Sequence, residues 1–102
     1  MIHVIAVITA KPGQRAKLLE HFNANVPHVL AEAGCFEYGA ATDADTGMKW
    51  QNAWGADTFL VIEKWASLDA LKAHSKAPHM VAYAEKTRDM VASRAIHILN
   101  PA

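Results

Sequence analysis

The sequence predicts an α+β domain: an antiparallel four-stranded sheet with helices on one face. Three observations carry this. Residues 1–10, 35–42, 58–66 and 93–99 have the composition or alternation of strands. Residues 14–33 and 67–91 carry apolar side chains at helical spacing. The chain has 102 residues, 52% of them apolar, which suits one small globular domain spanning residues 1–102.

The first strand places Ile2, Val4, Ala6 and Ile8 on one face and His3, Ile5, Val7 and Thr9 on the other, so both faces are largely apolar. Lys11-Pro12-Gly13 is a turn signal. In 14–33 the apolar stripe runs through Leu18, Leu19, Phe22, Val26, Val29, Leu30 and Ala33. Pro27 interrupts it, but the phase continues across the proline, which predicts one bent helix with Gly34 as its C′ residue. The second strand puts Phe36 and Tyr38 on one face. Residues 43–47 read as a turn, and 48–54 read either as a short strand or as a loop carrying Trp50 and Trp54. The third strand sets Phe59, Val61, Glu63 and Trp65 on one face and Leu60, Ile62 and Lys64 on the other.

Ser67 then reads as an N-cap accepting from the amide of Ala70, with Asp69 in the first turn and a helix to about residue 75. Ala77 is pushed out of the helical region by Pro78, which opens a second helix to about residue 91. Residues 57–80 thus gather Trp65, His74 and His79 in one strand–helix–helix unit.

Ten acidic and ten basic residues leave no net charge and no basic patch, which argues against nucleic-acid binding. The apolar start is too short to span a membrane and has no basic n-region. Cys35 is the single cysteine, so no internal disulfide or thiolate metal cluster is expected, and a cytoplasmic, reducing location is the simplest reading. Helices on one side cannot cover strands that are apolar on both, so a homodimer packing sheet against sheet is expected.

The run FLVIEKWASLDALKAHSKAPHM resembles the antibiotic biosynthesis monooxygenase family, and VIAVITAKPGQ, VPHVLAEAGCFEY and IHILNP are similar to its small bacterial quinol monooxygenases. The resemblance implies a ferredoxin-like βαββαβ fold and a dimeric α/β barrel. It further implies a pocket between sheet and helices, and oxygenation of a hydroquinone or similar electron-rich aromatic by O2 without metal, flavin or haem. Polyketide-oxidising members have an Asn four residues before the tryptophan and a Tyr six after it; Val61 and Leu71 stand there. The positions that matter in haem-degrading relatives hold Ala6, His74 and Ala84, which disfavours that activity.

Such chemistry needs a base to form the phenolate and a dry cavity. His74 and His79 are the acid/base candidates, and the dipole of the helix that His79 opens favours its neutral form. Trp65, Glu63, Tyr83, Asn52 and Trp50 are the candidate substrate contacts. Each also has a structural reading: Trp65 as core, Glu63 as a surface charge, Tyr83 at the core edge, Trp50 and Asn52 as loop anchors. His74 and His79 could bracket a metal ion, but the spacing offers no third ligand. The competing function is a dimer that binds a quinone or other aromatic without turnover, or acts in a stress response.

Overall fold

The computed structural model describes all 102 residues. Its elements are β1 (Ile2–Ala10), α1 (Arg15–Leu30), β2 (Cys35–Ala41), β3 (Thr58–Trp65), α2 (Leu68–Ser75), α3 (Pro78–Thr87) and β4 (Val91–Leu99). A single 3-10 turn, Arg88–Met90, joins α3 to β4. The sheet order is β2-β3-β1-β4, and every neighbouring pair is antiparallel. With α2 and α3 as one broken helical segment, this is the ferredoxin-like βαββαβ arrangement. The four strands of one chain form an open sheet, not a closed barrel.

Strand alternation decides what faces the helices. β1 pairs with β3 from Ile2↔Trp65 to Thr9↔Thr58, which sets Val4 beside Glu63, Ala6 beside Val61 and Ile8 beside Phe59 on the helix side. There the core forms from Val4, Ala6, Phe59, Val61, Trp65 and Tyr38, closed by Leu18, Phe22 and Val29 of α1. Ile5, Val7, Leu60 and Ile62 project from the opposite face, where nothing in the chain covers them and they stay half-buried.

Three local features depart from expectation, and the choice between strand and loop at residues 48–54 falls to the loop. Phe36 does not share the inner face with Tyr38. The register shifts between Cys35 and Glu37, so Phe36 is an extra residue in a bulge and is 62% exposed. α1 runs through Pro27 but ends at Leu30, so Gly34 is not its C′ residue. Gly34 instead sits at φ +81° in the turn into β2, where a Cβ would lie 2.9 Å from that of Ala70. Residues 48–54 form no strand. β4 begins at Val91, directly after the 3-10 turn, because α3 stops at Thr87.

Candidate active site

β3 ends on the inner face with Glu63 and Trp65, both buried. The chain then turns through Ser67, whose hydroxyl accepts from the Ala70 amide at 3.1 Å and caps α2. Eight residues of helix carry His74 back over Trp65, with ring centroids 4.7 Å apart. Ala77 is extended (φ −60°, ψ 137°) and Pro78 starts α3, so His79 enters from a new direction.

The two imidazoles meet at Glu32, in the turn after α1. Nδ1 of His74 lies 2.8 Å from Oε2 of Glu32, and Nε2 of His79 lies 3.1 Å from the same oxygen. The His79 contact is off the line of a hydrogen bond, and that nitrogen is buried with no other partner. Asn25 of α1 donates from Nδ2 towards Nδ1 of His79 at 3.3 Å. On the sheet side, Nε1–H of Trp65 donates to Oε1 of Glu63 at 2.9 Å. Tyr38 of β2 meets the edge of the His74 ring at 5.4 Å and stacks on Phe22 at 5.3 Å.

Between the sheet and α2–α3 lies a cavity of about 1050 Å³. Val4, Ala6, Val61 and Phe59 form its floor, Ile96 and Ile98 of β4 one side, and Leu71, Met80 and Tyr83 its helical wall. Its polar groups at the deep end are Glu63, His74 and Tyr38; Lys72, Glu85, Arg88 and Arg94 lie nearer solvent. Burial pushes the carboxyl of Glu63 above the usual range, against the opposing pull of the Trp65 N–H and the His74 ring. Burial, with the Glu63 charge adding to it, raises the phenol of Tyr38, and burial pushes Tyr83 up to about 12 against the nearby Arg94. Both phenols therefore stay neutral donors. Burial and the charges of Glu32 and Glu63 raise the Cys35 thiol, so it is no ready nucleophile.

Of the residues singled out in the sequence, His74, Glu63 and Tyr83 line this cavity. Trp65 is 0% exposed and touches the site through Glu63 and His74. His79 lies behind Glu32, outside the lining. Trp50 and Asn52 are not brought to this cavity. Their loop feeds the Thr58 end of β3, about 24 Å from the Trp65 end at ~3.4 Å per residue. Trp50 is 79% exposed there, and Asn52 borders a separate hollow with Trp54 and Ala41. The Asp43 carboxylate ties this loop by accepting from the amides of Trp54 (3.0 Å) and Gly55 (2.9 Å), which also hold its pKa down.

Glu32, Asn25 and Tyr38 were not among the candidate site residues of the sequence, although Tyr38 was placed on a strand face. Asn25 had a signal: it falls between Phe22 and Val29 at helical spacing, a polar residue within an apolar stripe. Glu32 had none, because it follows the end of α1 and its direction depends on the Gly34 turn. No group of three His, Cys, Asp or Glu side chains is arranged to hold a metal ion.

The model of the family "Antibiotic biosynthesis monooxygenase" matches residues 1–86. The chain belongs to that family. It is 40% identical over 103 residues to "Probable quinol monooxygenase YgiN" of Escherichia coli (strain K12), covering 99% of this chain and 98% of that one. Among solved structures, PA3566 from Pseudomonas aeruginosa superposes with a TM-score of 0.81 at 27% identity, covering 99% of this chain and 93% of that one. Rv0793 from Mycobacterium tuberculosis shares the fold at TM-score 0.80 and 24% identity, with 99% and 94% covered. Family membership makes this chain a monooxygenase by class.

Proposed function

We propose that this chain is a quinol monooxygenase that oxygenates a hydroquinone or similar electron-rich aromatic with O2, as a homodimer in the cytoplasm. The carrying observation is His74: its Nδ1 is committed to Glu32, it lines an apolar cavity, and Nε2 is left for a ligand. The name of the E. coli relative supports the substrate class.

O2 is a spin triplet and reacts slowly with closed-shell molecules, whereas a hydroquinone anion is a ready one-electron donor. In this reading no metal, flavin or haem takes part, and the substrate supplies the electrons itself. Nε2 of His74 removes a phenolic proton, and the apolar walls keep water from the anion. In this reading the phenol of Tyr83 donates to a substrate oxygen, and Glu63 lines the same cavity. Overall, hydroquinone plus O2 gives hydroxyquinone plus water. One oxygen atom enters a ring C–H bond and the other leaves as water, so the four electrons from substrate balance.

The test is oxygen uptake by anaerobically prepared menadiol on exposure to air. Uptake should be faster with the protein than without it. Equal rates, with the compound still bound, would make the chain an aromatic-binding protein instead. A haemin titration should leave the Soret band unshifted.

A further inference from the structure

We propose that Glu32 is the positioning residue of this site: it holds His74 with its proton on Nδ1, keeps Nε2 free to accept a substrate proton, and carries the counter-charge once it has done so. This rests on His74 being the base, and it gives a role to a carboxylate that no sequence pattern marks.

Three observations support it. First, Glu32 is enclosed, with 16% of its side chain exposed, and one oxygen serves both rings, at 2.8 Å and 3.1 Å. A carboxylate withdrawn from water needs a donor, and the Nδ1–H of His74 supplies it, with the His79 ring close by but off the hydrogen-bond line. Second, one proton assignment satisfies both hydrogen bonds that the rings make, Asn25 to His79 and His74 to Glu32. Asn25 donates to Nδ1 of His79, which puts the His79 proton on Nε2, facing Glu32. Glu32 then accepts from Nδ1–H of His74, which leaves the His74 lone pair on Nε2. Third, Nε2 of His74 has no partner in the protein and is not sealed by it, and its residue lines the cavity.

The proton is conserved through the cycle. His74 takes it from the phenol and returns it to the oxygen that leaves as water. Meanwhile an imidazolium stands in an apolar site, and the Glu32 carboxylate compensates it, as carboxylate–imidazole pairs do elsewhere. The titratable groups facing His74 are Glu32 from the α1–β2 turn, His79 from α3, Glu63 from β3 and Tyr38 from β2; Lys72 shares its helix, Cys35 flanks Glu32, and His28 of α1 lies 5.9 Å beyond His79.

The experiment uses the full chain, with ring nitrogens read by 15N NMR and turnover read with menadiol. In the wild type, His74 should carry its proton on Nδ1. In Glu32→Ala that ring should drift to the tautomer mixture of a free imidazole, and kcat should fall about 100-fold with KM nearly unchanged. Should Glu32→Ala not fold, Glu32→Gln is read for the same loss of kcat and for a pH profile altered relative to wild type. A wild-type ring protonated on Nε2, an Ala variant with an unchanged tautomer, or a Gln variant with unchanged kcat and pH profile overturns the proposal. If the wild type does not accelerate menadiol oxidation at all, the quinol reading fails, and the tautomers of wild type and variant still decide the place of Glu32.

Discussion

The indole Nε1–H of Trp65 donates to Oε1 of Glu63 across 2.9 Å, on the same buried face of β3. The indole supplies the carboxyl with its one hydrogen-bond donor from the protein, and Glu63 presents its other oxygen to the cavity wall without a protein partner. Burial still dominates, so the folded state holds the Glu63 proton more tightly than the unfolded chain does. The sign follows: stability falls as pH rises from the ordinary value of 4.5 through the raised folded value, and above that the full loss persists. Glu63→Gln keeps an acceptor for the indole and removes the charge. Its melting temperature should exceed the wild type's at neutral pH, and the gap should close as pH falls to about 4. A gap independent of pH would show that Glu63 is not titrating in the folded state.

His74 and His79 should not contribute equally. His74 lines the cavity, whereas His79 reaches it only through Glu32. His74→Ala should lower kcat by about 10²–10⁴-fold, the usual worth of a positioned general base. His79→Ala should cost about tenfold, the low end for a group that supports another. Steady-state kinetics on both variants decide the ranking. A larger loss from His79→Ala would move the base to α3.

Much of this site was legible because local rules agreed with the fold. The alternation of Phe59, Val61, Glu63 and Trp65 gave the inner face of β3, and the Ser67 cap and the Ala77-Pro78 break gave the positions of His74 and His79. What stayed hidden depends on long-range geometry. Phe36 left its expected face because a bulge adds one residue, and period-two counting fails at any such insertion. Trp50 and Asn52 looked like pocket residues by chemistry, but the length of β3 separates them from His74. Glu32 and His74 are 42 residues apart, and only the packing of the α1–β2 turn against α2 brings them together.

That packing depends on Gly34. Its φ of +81° lies where a side chain is strained, and an added Cβ would meet Ala70 at 2.9 Å and Ala66 at 3.4 Å. Gly34→Ala should cost about 1–3 kcal/mol from strain and overpacking, about 4–8 °C in melting temperature per kcal/mol at this size. Because Glu32 precedes this turn and Ala70 lies on α2, kcat should fall as well. Thermal unfolding with parallel kinetics checks both, and a variant as stable and active as wild type would show that the turn has slack.

The outer face of the sheet sets the last test. Ile5 pairs with Ile62 and Val7 with Leu60 across β1 and β3, and the chain has no element to cover them. Each large aliphatic side chain fully withdrawn from water contributes about 1.5–3 kcal/mol, so a second sheet stacked on this one gains from the whole patch at once. Ile62→Glu puts a charge at its centre. In an isolated chain that residue stays partly hydrated and the fold should hold, but between two sheets the carboxylate would be desolvated without a partner. Sedimentation at micromolar concentration should therefore show a wild-type dimer and an Ile62→Glu monomer with an unchanged far-UV spectrum. A wild-type monomer, or a variant that still pairs, would place the contact on another surface.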